Sequence, residues 1–226
     1  MNKLTIDNIL KNSICIFVDA SILNTEKSFI GCPGCLIVNG EQISYSDYIR
    51  LDSTNSRSEL AAVQLGVTQA LNYINSGVPI NLFSDSKVCI YSIREWIFNW
   101  CNNIVDGVLY GSSYKPISNQ DMIINIINTI RFNNLHINLY HQKGHVDIFN
   151  KHSLEHAREV FIESNKVDIE YDLLKYISDY NNNVDIQTKM KLEHCNGQNR
   201  KLVNPIRFSL DGFDKYKYRE LVRRDL

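Results

Sequence analysis

The chain reads as an α/β protein: a mixed sheet that starts as an antiparallel meander and continues through helix-linked strands, with helices on its faces. Three observations predict this. Three short strand-like runs follow closely on one another between residues 13 and 51, the second closed by Asn39-Gly40 turn chemistry. After them, segments with helical periodicity alternate with two further apolar runs of strand length. At 226 residues, 44% hydrophobic and 22% charged, the chain is long enough and apolar enough for one substantial core.

The elements follow in order. SICIFVD (13–19) and GCLIVNG (34–40) are short apolar strands, and QISYSDYIRL (42–51) alternates, with Ile43, Tyr45 and Asp47 on one face. Leu60, Val63, Val67, Leu71 and Ile74 recur at helical spacing, Ser56-x-x-Glu59 has the form of a capping box, and Gly77-Val-Pro79 stops the helix. PINLFSD (79–85) is a fourth strand, KVCIYSIREWIFNW (87–100) and DMIINIINTIRF (121–132) are helices, and LHINLYHQ (135–142) is a fifth strand. Residues 153–194 are helical in pattern, with Asn-rich breaks at 164–165 and 181–183.

Composition narrows the function classes. MNKLTIDNIL is too polar for a signal peptide and no run is long enough to span a membrane, so a cytoplasmic protein without membrane partners is expected. Six scattered cysteines in mostly apolar settings read as reduced thiols. Cys32-Pro-Gly-Cys35 has the form of half a zinc knuckle or a redox pair, but no second such pair answers it. The net charge of −1 conceals an asymmetry, since residues 196–226 carry +4 and the rest −5. That tail reads either as a polyanion-attracting segment or as a solvated terminal helix.

The acids carry the chemistry. Asp19 and Asp85 are expected at the ends of the first and fourth strands, where α/β sheets form their ligand crevice, and Glu59 in the first turn of the long helix. Carboxylates gathered in one place repel unless a cation neutralises them. Such oxygen clusters suit Mg²⁺ or Mn²⁺, and two ions about 4 Å apart can hold a phosphodiester and activate water. Each acid also has a structural reading, as a turn or helix cap. Four of the six histidines fall in HQKGHVDIFNKHSLEH (141–156), whose two H-x3-H spacings suit a metal site, or a single catalytic histidine among bystanders.

The segments FVDAS (17–21), TNSRSEL (54–60), SDS (84–86), WIFNW (96–100), KPISNQD (115–121) and KGH (143–145) together resemble type 1 ribonuclease H, in that family's order and at about its spacing. The resemblance implies an RNase H-like fold with a five-stranded mixed sheet. It implies an endonuclease that hydrolyses the RNA strand of RNA–DNA hybrids with two Mg²⁺ or Mn²⁺ ions, leaving 5′-phosphate and 3′-hydroxyl ends. Asp19, Glu59 and Asp85 match three of the four metal-binding carboxylates. Ser21, Thr54, Asn55, Ser86 and Lys87 match nucleic-acid-binding positions, with Thr54 and Asn55 placed for the backbone and the RNA 2′-hydroxyl. His145 matches the loop histidine that assists proton transfer or product release. Of the four histidines, only this one keeps a chemical role, and no protein partner is implied.

Three departures from the family pattern stand out. DAS replaces the usual DGS, and the segment after Trp100, basic in many members, holds Lys115 as its one base. The family expects an Asn-x-x-x-Asp shortly after the loop histidine, but Leu154 occupies that place, with Glu155 beside it. A better match is Asn181-Asn-Asn-Val-Asp185, expected to open a helix whose N-terminus favours the acid. Asp185 as fourth ligand requires a helical insertion at about 146–180 within a catalytic domain of residues 1–195, followed by the basic tail. Glu155, or an incomplete set, are the alternatives. The functional alternatives are a weak or inactive module that binds hybrid or structured RNA, and a related nuclease acting on DNA or structured RNA.

Overall fold

The structure, a computed structural model, describes residues 3–25, 28–51, 54–195 and 209–222. At its centre lie β1 (Ile14–Thr25), β2 (Ser28–Asn39), β3 (Gln42–Asp47), β4 (Ile80–Ser84) and β5 (Asn138–His141). Their order across the sheet is β3-β2-β1-β4-β5. The first three pair antiparallel, whereas β4 runs parallel to both β1 and β5. A two-residue strand, Arg50–Leu51, pairs separately with β2, so the run expected as one strand over 42–51 is broken and the sheet has a sixth member.

β1 and β2 are longer than their apolar cores suggest. They form a ladder from Ile14↔Asn39 to Thr25↔Ser28, so Asp19 lies in mid-strand opposite Gly34, not at a strand end. Backbone pairing carries the hairpin through residues whose side chains give no strand pattern. Pro33 is tolerated because its backbone edge faces away from β1: its carbonyl accepts from Tyr48 N at 3.4 Å.

The central strands of the sheet are buried on both faces. Ile14, Ile16, Val18, Leu82 and Leu139 pack beneath α1 (Asn55–Ala70), α2 (Lys87–Tyr91), α3 (Ile97–Trp100) and α4 (Gln120–Phe132). A π-helical turn, Ser92–Trp96, joins α2 to α3. Cys15, Phe17, Phe83 and Tyr140, one residue out of phase, pack beneath α5 (Lys151–Asn165) and α6 (Tyr171–His194). Phe17–Phe83, Phe83–Tyr140 and Tyr140–Phe161 stack at centroid distances of 5.1, 5.1 and 5.9 Å, tying sheet to α5.

Of three helix boundaries, two differ from expectation and one agrees. The cap of α1 is Thr54, whose hydroxyl accepts from Arg57 N at 3.4 Å, so Ser56-x-x-Glu59 is not the capping box. The break at 164–165 is real, with Lys166 left-handed at φ 59°. The break expected at 181–183 is absent, and α6 runs unbroken through the asparagines. An asparagine costs a helix only about 0.5 kcal/mol. Burial of Leu173, Leu174, Ile177, Val184 and Leu192 contributes roughly 1.5–3 kcal/mol each and outweighs it.

The C-terminal segment is not simply solvated. In α7 (Lys215–Val222), Tyr218, Leu221 and Val222 are buried in the α1–α4 core, and Leu221 O accepts from Ile137 N at 2.9 Å. Arg200, Lys201, Arg207, Arg223 and Arg224 of the expected basic tail lie outside the described residues. No described helix is long and apolar enough to cross a membrane.

Candidate active site

Asp19 lies two residues beyond Phe17 on β1 and therefore points to the face covered by α6. Asp85 follows the last residue of β4, beside β1. Glu59 comes from the first turns of α1, where Asn55 Nδ2 donates to its Oε1 at 3.0 Å. Arg57 holds this end of α1 by donating to both carboxylate oxygens of Asp121 at 3.1 and 2.8 Å. Asp185 projects from the far half of α6. These four carboxylates, with Ser21, Asn55 and His145, line one open cleft of ≈ 420 Å³.

α6 brings Asp185 close by packing hard against the hairpin. A Cβ on Gly34 would stand 2.5 Å from Thr188 Cγ2 and 2.9 Å from the Tyr45 hydroxyl. Thr188 Oγ1 donates to the Asp185 carbonyl at 2.9 Å and shares a 2.7 Å hydrogen bond with Ser21 Oγ. Ser21 is thus a buried docking residue for α6 as well as a cleft residue. Asp185 is not at a helix N-terminus, contrary to expectation, so that end's partial charge cannot act on it.

His145 sits on the cleft rim with its side chain 72% exposed, its backbone left-handed at φ 51°. Its Nδ1 is 3.5 Å from Asp185 Oδ2, and Asn182 Nδ2 donates to the neighbouring Val146 carbonyl at 2.9 Å, which ties the loop to α6. Gly144 allows the loop to cross Asp85 closely, since a Cβ there would collide with the Asp85 carboxylate.

The electrostatics are those of crowded acids. Burial, then Asp85, raises the Asp19 pKa to about 8. Burial, then Glu59, raises that of Asp85 to about 6, with His145 opposing. Among the described residues no three such side chains already close into a metal cage. The donor set nevertheless fits a hard divalent cation: it is all oxygen, and its mutual repulsion is what a cation relieves.

Glu155 lies elsewhere, on the outer part of α5, within 3.5 Å of Lys151 Nζ and 3.6 Å of His152 Nδ1. His152 and His156 are exposed on that helix. His141 is buried, its Nδ1 2.8 Å from Ser164 Oγ, and burial lowers its pKa to about 4. The four histidines of 141–156 therefore do not form one metal site. Ser86 and Lys87 line an adjoining groove with Asn55, Glu59, Trp96 and Trp100, while Thr54 stays exposed as the α1 cap.

Sequence reasoning missed Lys189, whose Nζ is 2.6 Å from Asp185 Oδ2 inside the cleft. The signal was available in principle, because residues four apart on a helix face one another. It also missed Gly34 and Thr188, whose importance depends on a contact between distant segments.

The RNase H family model matches residues 11–161. A ribonuclease HI of Pasteurella multocida is 34% identical over 137 residues, covering 60% of this chain and 80% of that protein. A ribonuclease H of Haemophilus influenzae is 35% identical over 127 residues, covering 54% and 75%. The solved PFV RNase H domain aligns with a TM-score of 0.48 at 18% identity, over 70% of this chain and 97% of that one. The family match takes in Asp19, Glu59, Asp85 and His145 and ends before Asp185.

Proposed function

The chain belongs to the RNase H family, and on that premise we propose that it is an endonuclease cutting the RNA strand of RNA–DNA hybrids at the cleft between β1, β4, α1 and α6. The observation that carries this reading is the meeting of Asp19, Glu59, Asp85 and Asp185 along one cleft with His145 at its rim. Residues 1–195 form the catalytic domain in this reading, with α7 completing its core and α5 and the first half of α6 as its insertion.

Asp19, Glu59, Asp85 and Asp185 would hold two Mg²⁺ or Mn²⁺ ions. When bound, the ions supply the positive charge that activates water and stabilises the departing 3′ oxygen. Asp19 and Asp85, whose carboxyl pKa values burial raises, give the pocket its affinity for cations, because their charged forms are costly without one. Glu59 fixes the Asn55 amide at the cleft edge, where it can meet a 2′-hydroxyl and so favour RNA over DNA. Lys87 and the Trp96–Trp100 pair, rings 5.7 Å apart, offer the adjoining groove a phosphate contact and a stacking surface. His145 is exposed at the cleft rim, which suits passing a proton to or from solvent as the 3′-hydroxyl and 5′-phosphate ends separate.

The test is cleavage of an end-labelled hybrid in Mg²⁺ or Mn²⁺. Wild type should cut internally within the RNA strand, and Asp85→Asn should lose more than roughly 100-fold of the rate. Asp185→Asn should fall comparably while Glu155→Gln keeps wild-type activity. No cleavage by wild type refutes the proposal, and a hybrid bound but uncut would favour a binding module. The reverse order of the last two variants reassigns the fourth carboxylate.

A further inference from the structure

The acidic cleft also holds a cation of the chain's own. Lys189 stands one helical turn beyond Asp185 on α6, with its Nζ 2.6 Å from Asp185 Oδ2. An ion pair between residues four apart on a helix is ordinarily a weak surface feature. This one is placed differently. The Asp185 side chain is only 12% exposed, and both residues line the cleft with Asp19, Glu59 and Asp85. Lys189 and His145 are the basic side chains among those lining residues. The ammonium therefore engages one of the two carboxylate oxygens, Oδ2, through which a divalent ion at Asp185 could bind.

We propose that Lys189 is an internal competitor for the divalent cation at Asp185, and thereby a positioning residue that sets the cation concentration the cleft requires. The proposal rests on reading the cleft as a divalent-cation site. An ion that takes Oδ2 binds only when the ammonium withdraws, and one held through Oδ1 still meets the repulsion of that charge. Lysine suits such a role, because its charge rides on a flexible four-carbon stem and the side chain is already 54% exposed. Before displacement, the ammonium neutralises part of the acid cluster and holds Asp185 turned into the cleft. After displacement it swings to solvent, leaving the carboxylate to the ion.

Isothermal titration of the full chain with Mn²⁺, without nucleic acid, tests this directly. Lys189→Met keeps the aliphatic stem and removes the charge, and it should bind the Asp185-dependent ion about tenfold more tightly than wild type. Lys189→Arg should retain wild-type affinity. The gain should vanish when Asp185→Asn is added to Lys189→Met. Identical isotherms for wild type and Lys189→Met, whether both bind Mn²⁺ or neither does, overturn the proposal. A gain that survives Asp185→Asn overturns it too. Hybrid cleavage separates the two readings: tighter Mn²⁺ binding in a protein that never cuts hybrid would sink the nuclease assignment and leave the competition standing. Unchanged Mn²⁺ binding in an active nuclease would do the reverse.

Discussion

At the scale of the residue, Asp19 shows what the cleft costs the fold. The residue is 7% exposed, and burial and Asp85 push its carboxyl pKa to about 8 from an ordinary 3.8. The native protein therefore keeps a proton that the unfolded chain has already released between about pH 4 and pH 8. Stability falls as the pH rises through that window, and Asp85, pushed to about 6, adds a decline over its lower part. In the absence of divalent ions, Asp19→Asn should be more stable than wild type by at least about 2 kcal/mol at pH 8, the gap closing toward pH 4. Denaturant unfolding in EDTA at pH 4.5 and pH 8 measures both numbers. Equal stabilities at pH 8 would mean that the native cleft tolerates the Asp19 charge without a cation. The same strain is what gives the pocket its appetite for a divalent ion, so stability and function are set against each other at this side chain.

At the scale of the element, everything depends on how α6 reaches the sheet. The absence of a side chain at Gly34 lets Thr188 approach β2, and the Ser21–Thr188 hydrogen bond and the 3.3 Å Lys191–Asp47 ion pair hold the helix there. Gly34→Val should push α6 outward, at a cost of about 1–3 kcal/mol, and carry Asp185 away from Asp19. Hybrid cleavage should fall at least about tenfold, since small misplacements in a preorganised site are expensive. A variant that matched wild type in melting temperature and in rate would show that the close approach does not position Asp185. This dependence also explains what the sequence could and could not disclose. The strands and α1 were legible because periodic burial writes itself into residues such as Ile14, Ile16 and Val18. Asp85 was legible because a strand end is a local event. The length of β1, which leaves Asp19 in mid-ladder, was not, because backbone pairing is indifferent to the polar residues after it. Asn181 to Asn183 read as a break because local propensity carries no information about the apolar face packed beneath them. Lys189 stayed hidden because it matters only through the oxygen it touches.

At the scale of the whole molecule, the chain closes on itself at α7. Tyr218 packs between Phe98 and Phe213, with ring centroids 6.0 and 5.3 Å away, and Leu221 and Val222 complete the same core. Asn128 Nδ2 donates to Ser209 O at 2.9 Å, and Arg131 Nη2 to Asp211 O at 2.7 Å, so the approach to α7 is fastened to α4. The polar side of the helix is separate: Lys217 faces solvent, Lys215 is half-buried with its Nζ 5.5 Å from the Tyr216 ring centroid, and Arg219 lies over the Phe98 ring at 4.7 Å. A test of the tail's charge by deletion would therefore remove core and charge together. Point substitutions separate them. Tyr218→Ala should cost about 3–5 kcal/mol, the usual penalty for truncating a large buried aromatic. Lys217→Gln should stay within about 0.5 kcal/mol of wild type. Tyr218→Phe discriminates further, because the buried Tyr218 hydroxyl has no hydrogen-bond partner among the described residues. Removing it should leave stability unchanged or raise it by about 1 kcal/mol. Chemical denaturation of the three variants beside wild type measures these differences. If Tyr218→Ala proved as mild as Lys217→Gln, α7 would be a dispensable appendage. If Tyr218→Phe were strongly destabilising, the hydroxyl would have a partner, and the packing of α7 would need redrawing.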